Sequence, residues 1–232
     1  MIISHSRKFI FIKSRKTAGT SLEAALSQYC SGTDVVTPLN DFRHNRNEKG
    51  EFIHRAMNAD EYREIGQHVD AMTIKSRLAG DQWGGYFKFS IARNPWDRIV
   101  SDFTWLARND PALQPRRRFY HRLGIPFNEF QETRRLFSEF VRSGVWTTND
   151  RFYIIDDDLC VDRVIRYEHL SDDFGAVCHM IGVPPVELPH LKAGIRSGKR
   201  HYSAYYDDDT AEIVAEKHNN DLRLLGYSFE KA

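Results

Sequence analysis

The nine residues from Lys13 to Ser21 (KSRKTAGTS) bring together three cations, four hydroxyls and one glycine. They follow Phe9 to Lys13 (FIFIK), an aromatic and β-branched run that reads as a buried strand. They precede Leu22 to Tyr29 (LEAALSQY), which reads as a helix that Thr20 or Ser21 caps. A strand, a short glycine-containing loop and a helix N-terminus present backbone N–H groups and the positive end of a helix dipole to an anion, phosphate above all. The spacing is not the Gly-x-x-x-x-Gly-Lys-Ser/Thr of nucleoside triphosphatases, because Lys16 stands before the glycine and Thr20 and Ser21 after it. Alone, the segment also fits an ordinary strand-to-helix turn.

A second junction has the same design. Tyr86 to Ala92 (YFKFSIA) reads as a strand, and Asn94-Pro95 opens a helix with an N-cap and an N1 proline, running to about Leu106. Arg93 ends the strand and Ser101 lies about two turns into the helix, a spacing from which a guanidinium and a hydroxyl could reach one phosphate.

In this order the two junctions resemble the 5′-phosphosulfate loop and the 3′-phosphate motif of sulfotransferases that use 3′-phosphoadenosine-5′-phosphosulfate (PAPS). The resemblance is to the group that includes carbohydrate 2-O-sulfotransferases and many bacterial sulfotransferases. It extends over most of the chain, through Phe89 to Phe103 (FSIARNPWDRIVSDF), Val164 to Phe174 (VIRYEHLSDDF) and Tyr202 to Phe229, which ends in GYSF. It implies a single α/β domain over residues 1–232, with a central, mainly parallel sheet flanked by helices in a P-loop-like sulfotransferase fold. It further implies in-line sulfuryl transfer from PAPS to a hydroxyl acceptor, with a carbohydrate favoured, without a metal and with release of adenosine 3′,5′-bisphosphate (PAP).

Site roles follow from the same resemblance. Arg15, Lys16, Thr17, Ala18, Gly19, Thr20 and Ser21 would hold the 5′-phosphosulfate, and Arg93 and Ser101 the 3′-phosphate. Arg196, Ser197, Gly198, Lys199 and Arg200 resemble the basic C-terminal loop that closes over the nucleotide. Lys16 suits stabilisation of the charge that grows on the leaving oxygen. The related group uses a histidine between the two phosphate motifs as base. His54 is preferred, because it precedes a helix starting near Asn58, but its surroundings (HRAMNADEY) match only loosely; His44, His68 and the carboxylate of Glu51 stay open. Tyr167-Glu168 reads as support. Arg116-Arg117-Arg118 could attract an anionic acceptor, with Trp105, Tyr120 and Trp146 as sugar-stacking surfaces.

The remaining elements complete an alternation of strands and helices. Helices are expected from Ala59 to Gly66, Glu129 to Arg142, Ser171 to near Gly182, and Asp207 to Leu225; strands at Phe152 to Ile155 and Val161 to Tyr167 flank an Asp156-Asp157-Asp158 turn. A formal net charge of +1 excludes a global attraction to nucleic acid. Two acid-free basic stretches, over the first 22 residues and from Leu188 to Tyr206, could instead converge on one polyanion. Three scattered cysteines make neither a disulfide framework nor a zinc site. No run approaches the roughly 18 apolar residues of a membrane span, and the N-terminus lacks a leader's cleavage site, so a soluble, cytoplasmic protein is expected. Two rival functions remain: a P-loop-type nucleotide kinase, which needs carboxylates for Mg²⁺, and a catalytically silent PAP- or glycan-binding module.

Overall fold

The strand signal at Phe9 extends backwards into a hairpin. In the computed structural model, which describes residues 1–38, 56–115, 121–124, 126–184, 186, 188 and 200–232, β1 (Ile2–Ser4) and β2 (Phe9–Ile12) pair antiparallel. The link between them is four residues long, with Lys8 at a positive φ of 55°. So short a link permits only an antiparallel return, whereas parallel strands need a crossover of a dozen or more residues. Asp34 holds the turn, accepting from the Ser4 hydroxyl, the Ser6 amide and hydroxyl, and the Ser31 amide.

The sheet order is β3-β1-β2-β4-β7, where β3 is Val35–Val36, β4 Phe87–Ala92 and β7 Arg163–Arg166. β1 pairs antiparallel with both neighbours, while β2–β4 and β4–β7 are parallel. The expectation of a mainly parallel sheet is therefore corrected: two of its four pairings are antiparallel. The hairpin and the short β3 after the polar turn at residues 31–34 are the cause. A separate small hairpin joins β5 (Ile154–Ile155) to β6 (Asp158–Leu159). Asp156 and Asp157 both take positive φ, 51° and 64°, as a two-residue type I′ connection requires, and the turn accounts for the aspartate run.

The chain forms two compact units: Met1–Arg93 with Asn149–Ala193, and Asn94–Thr148 with Gly194–Ala232. In the first, Phe9, Phe11, Phe89, Ile91 and Ile165 share one sheet face by strand alternation. Leu22, Ala25 and Leu26 of α1 (Gly19–Ser27) join that core, as do Phe174, Val177 and Cys178 of α6 (Leu170–Met180). Ile10 and Ile12, on the other face, are also fully buried. Two short helices, α2 (Ala71–Arg77) and α3 (Gly80–Gly85), lead into β4. The helix expected from Ala59 is a 3₁₀ segment, Asp60–Ile65, without a side-chain cap; the Asn58 amide instead donates to the carbonyls of Gly32 and Asp34.

The second unit is helical: α4 (Pro95–Asn109), α5 (Glu129–Ser143), α7 (Asp208–Lys217) and α8 (Asn219–Leu225). Trp96, Ile99, Val100 and Phe103 pack with Leu136, Phe137, Phe140 and Val141, and with Tyr202, Tyr206 and Val214. The helix expected from Asp207 to Leu225 is two helices, broken at His218. That side chain is buried: its ring lies parallel to Trp146 with centroids 5.9 Å apart, its Nδ1 meets Asp221 at 2.5 Å, and its Nε2 accepts from Arg98 at 3.2 Å. Among the described residues no helix is long and apolar enough to cross a membrane.

Asn94 caps α4 as the sequence predicts, accepting from the Trp96 and Asp97 amides at 3.1 and 3.3 Å. Its amide also donates to the Ser228 carbonyl at 3.2 Å. Asn94→Ala is expected to cost about 1–2 kcal/mol, and Asn94→Asp, which can still cap, clearly less. Urea unfolding of the three proteins checks the order.

Candidate functional site

The loop from Lys13 to Gly19 leaves the C-terminal end of β2 and enters α1. Its root is stapled to β4, since the Ser14 hydroxyl donates to the Ile91 carbonyl at 2.5 Å and the Ser90 hydroxyl to the Ile12 carbonyl at 2.8 Å. The Ser14 and Thr17 hydroxyls meet at 2.7 Å, closing the loop on itself. Asn149, almost fully buried, grips Arg15 from both sides: its carboxamide oxygen accepts from the Arg15 amide at 3.3 Å, and its nitrogen donates to the Arg15 carbonyl at 2.7 Å.

Two non-glycine residues in this loop are left-handed, Lys16 and Ala18, each with φ of 61°. Each costs about 1–2 kcal/mol for an L-residue, and such strain concentrates where a backbone must meet a ligand. Left-handed residues recur in the turns whose successive N–H groups form anion-binding concavities. Ala18 is the N-cap of α1 and supplies no side-chain cap. Thr20 and Ser21, expected to cap, instead sit inside the first turn, and neither hydroxyl has a hydrogen-bond partner among the described residues. The Arg15 side chain is exposed.

Arg93, eighty residues downstream of Lys13, reaches this loop. Its Nη1 donates to the Lys16 carbonyl at 3.0 Å, and its guanidinium lies 4.2 Å from the Tyr167 ring centroid. The register of β2 and β4 brings this about, because Ile12 pairs with Ser90 and both chains leave the sheet at the same edge. Tyr167 is thus a support for Arg93. Ser101 lies half-buried on α4 in the second unit.

Beneath the loop runs the Lys13 side chain, 1 % exposed. Its ammonium meets Glu23 Oε2 at 2.5 Å and Gln67 Oε1 at 2.7 Å. The other Glu23 oxygen accepts from the Met1 amine at 2.6 Å and the Thr37 hydroxyl at 2.7 Å. Burial alone would raise the Glu23 carboxyl; the Met1 amine and Lys13 outweigh it and hold it down at about 2. Next to Gln67, His68 turns its Nδ1 to the Lys13 carbonyl at 3.0 Å. A carbonyl only accepts, so Nδ1 carries the proton and Nε2 keeps its lone pair. Nε2 has no hydrogen-bond partner among the described residues. Burial pushes the ring down to about 3, with the Lys13 and Arg15 charges adding to it and the carbonyl contact opposing.

His44, Glu51 and His54 lie outside the described residues, as do Arg116, Arg117, Arg118, Tyr120 and the Arg196, Ser197, Gly198 and Lys199 part of the basic loop. Arg200 is described and stacks on Phe130, 4.2 Å from the ring centroid. Trp146 is not a sugar platform: it is 4 % exposed, sandwiched with His218, and donates from Nε1 to the Val141 carbonyl. Trp105 is 46 % exposed. Sequence reasoning missed Glu23, Gln67 and Asn149, whose spacing and type carry no local signal, and gave Lys13 no role beyond its charge.

Gly19 is required by a close approach. A Cβ there would sit 2.8 Å from Lys13 Cγ, on a side chain that its pinned ammonium keeps from swinging away. Gly19→Ala is expected to lower stability by about 1–3 kcal/mol in denaturant melts. Acid sensitivity is a second expectation. The unfolded chain takes up the His68 proton near 6.5 and the folded chain near 3, so stability present above 6.5 falls as pH drops through that window. Glu23 adds to the loss below about 4.5. His68→Gln should flatten the stability curve between 6.5 and 4.5 and leave the more acidic limb.

Comparison with known proteins places the chain by its sequence. A protein of Archaeoglobus fulgidus described as uncharacterized is 26% identical over 116 residues, half of this chain and 84% of that protein. No solved structure matches the chain. The model of the sulfotransferase family matches residues 1–228. With a match over nearly its whole length, the chain belongs to the sulfotransferase family.

Proposed function

We propose that the protein transfers the sulfuryl group of PAPS to the hydroxyl of a saccharide or glycoconjugate. The observation that carries this reading is the meeting of Arg93 with the strained Lys16 loop, because it joins two cationic strand-to-helix junctions in one place. The Gly19 and Thr20 N–H groups at the start of α1 and the Thr20 and Ser21 hydroxyls would hold the 5′-phosphosulfate. Arg93 and Ser101, by their order in the sequence, would take the 3′-phosphate, and Arg196, Ser197, Gly198, Lys199 and Arg200 would close over the nucleotide. The exposed Trp105 favours a ring-shaped acceptor.

In the reaction the acceptor oxygen attacks sulfur opposite the bridging oxygen. The new O–S bond forms as the S–O bond to the 5′-phosphate breaks, and PAP leaves with the negative charge. Lys16 stabilises that charge. The acceptor proton needs a base. Sequence order favours His54; the geometry favours its alternative His68, whose ring is fixed at the root of the loop with the Nε2 lone pair uncommitted. The polyanionic donor would offset the Lys13 and Arg15 charges that depress this ring, raising its proton affinity when substrate is present.

Labelled PAPS offered with a panel of saccharides and simple alcohols tests the activity. Transfer without added metal is expected, and PAP binding with no transfer to any acceptor would leave a silent binding module. Arg93→Ala should weaken PAP binding roughly ten- to hundredfold; unchanged affinity would sink the donor site. His68→Ala should lower kcat by about 10²–10⁴ with PAP affinity within a few fold. The same loss in His54→Ala, with His68→Ala active, would return the base to His54.

A further inference from the structure

Glu23 is an acid in an awkward place. It lies one turn into α1, so its carboxylate sits near the helix end whose positive dipole and open N–H groups attract an anion. A buried negative charge there competes with any phosphate for the same field, and burial strengthens the competition by lowering the dielectric. Lys13 answers that charge directly. It runs behind Gly19, with its Cγ and Cε 2.8 and 3.6 Å from where a Gly19 Cβ would be, and ends on Glu23 Oε2. The dipeptide Gln67-His68 fixes Lys13 at both ends, Gln67 at the ammonium and His68 at the carbonyl.

We propose that Lys13 is a positioning residue for the donor: it neutralises Glu23 behind the loop, and its methylenes form the floor on which Gly19 rests. The inference rests on the donor-site reading above. Lys13 touches no reacting atom. Its effect is on how the loop receives an anion, so it belongs to donor affinity and not to the chemical step.

The test is PAP affinity by calorimetry, and PAPS kinetics, for wild type, Lys13→Met, Glu23→Gln and the double variant Lys13→Met/Glu23→Gln. Methionine keeps the unbranched stem and removes the charge. Lys13→Met is expected to weaken PAP by about tenfold and to raise the KM for PAPS, with kcat at saturating PAPS within about threefold. Glu23→Gln should bind PAP at least as tightly as wild type, and the double variant should recover most of the loss. A Lys13 that acts only through its methylene stem would show no loss in Lys13→Met and so nothing to recover, and unfolding melts of the four proteins separate a change in PAP affinity from a change in stability. Equal PAP affinity in wild type and Lys13→Met overturns the inference alone, as does a double variant no better than Lys13→Met. A wild-type protein that does not bind PAP overturns the donor site and this inference with it. Should Lys13→Met fail to fold, Glu23→Gln decides: weaker PAP binding than wild type overturns the proposal.

Discussion

Ile12 and Ser90 face each other across a parallel pair of strands, and the hydroxyls of Ser14 and Ser90 tie the ends of those strands crosswise. Parallel neighbours release their chains at the same edge of a sheet, which is why ligands of α/β proteins gather beyond the carboxyl ends of strands. Here the edge releases the Lys16 loop from β2 and Arg93 from β4. Their contact follows from the register. A slip of one residue would turn Phe11 and Phe89, stacked at 5.1 Å, out of the core and would part the loop from the arginine.

What could be read from the residues is what local chemistry decides. Asn94-Pro95 announces its helix because cap and proline act on the next few amides. FIFIK and YFKFSIA are strands in any context that buries them, and three aspartates in a row make a turn. The N-terminal run MIISHSRKFIFIKS reads as one first strand, and its division into β1 and β2 was not legible because HSRK, polar and charged, reads as a break and not as a hairpin link. The break at His218 is a tertiary effect, since the helical pattern runs on through it and a buried histidine against Trp146 interrupts it. At the site, the Lys13–Gly19 loop and Arg93, which meet in the structure, could be singled out by type and order. Asn149 was not, because it meets Arg15 across 134 residues and nothing in TTND foretells the meeting. Trp146 shows the opposite error: an aromatic residue near a basic stretch suggests a binding surface, but only packing says which side of it faces water.

The loop is held by many modest interactions against a definite strain. Two left-handed residues oppose it by a few kcal/mol together. The Asn149 clamp, the Ser14–Thr17 contact and the Lys13–Glu23 pair offset that, each net hydrogen bond contributing about 1 kcal/mol. The ion pair contributes less than its Coulomb energy because both partners are dehydrated, although breaking one side would cost about 3–5 kcal/mol. A comparable arrangement in the helical unit surrounds Arg98, bound to Asp102, the Thr147 carbonyl and His218, with its Nε left without a hydrogen-bond partner among the described residues. Charge is buried in each unit, each time with hydrogen-bonded partners.

The hairpin of β1 and β2 also bears on the order in which the molecule assembles. Its strands are joined by four residues and close on the microsecond scale. The seam between β2 and β4 joins residues 78 apart, and the Asn149 clamp residues 134 apart, so their loop-closure entropy must be met before either contact forms. The hairpin can therefore stand early as a template, while the loop that depends on the seam takes shape only when the distant strand arrives. An intermediate with the hairpin alone would have its core strands half covered and the loop unformed. If the loop holds an anion as proposed, binding would report this long-range step of folding, and a bound anion would stabilise only molecules that have completed it.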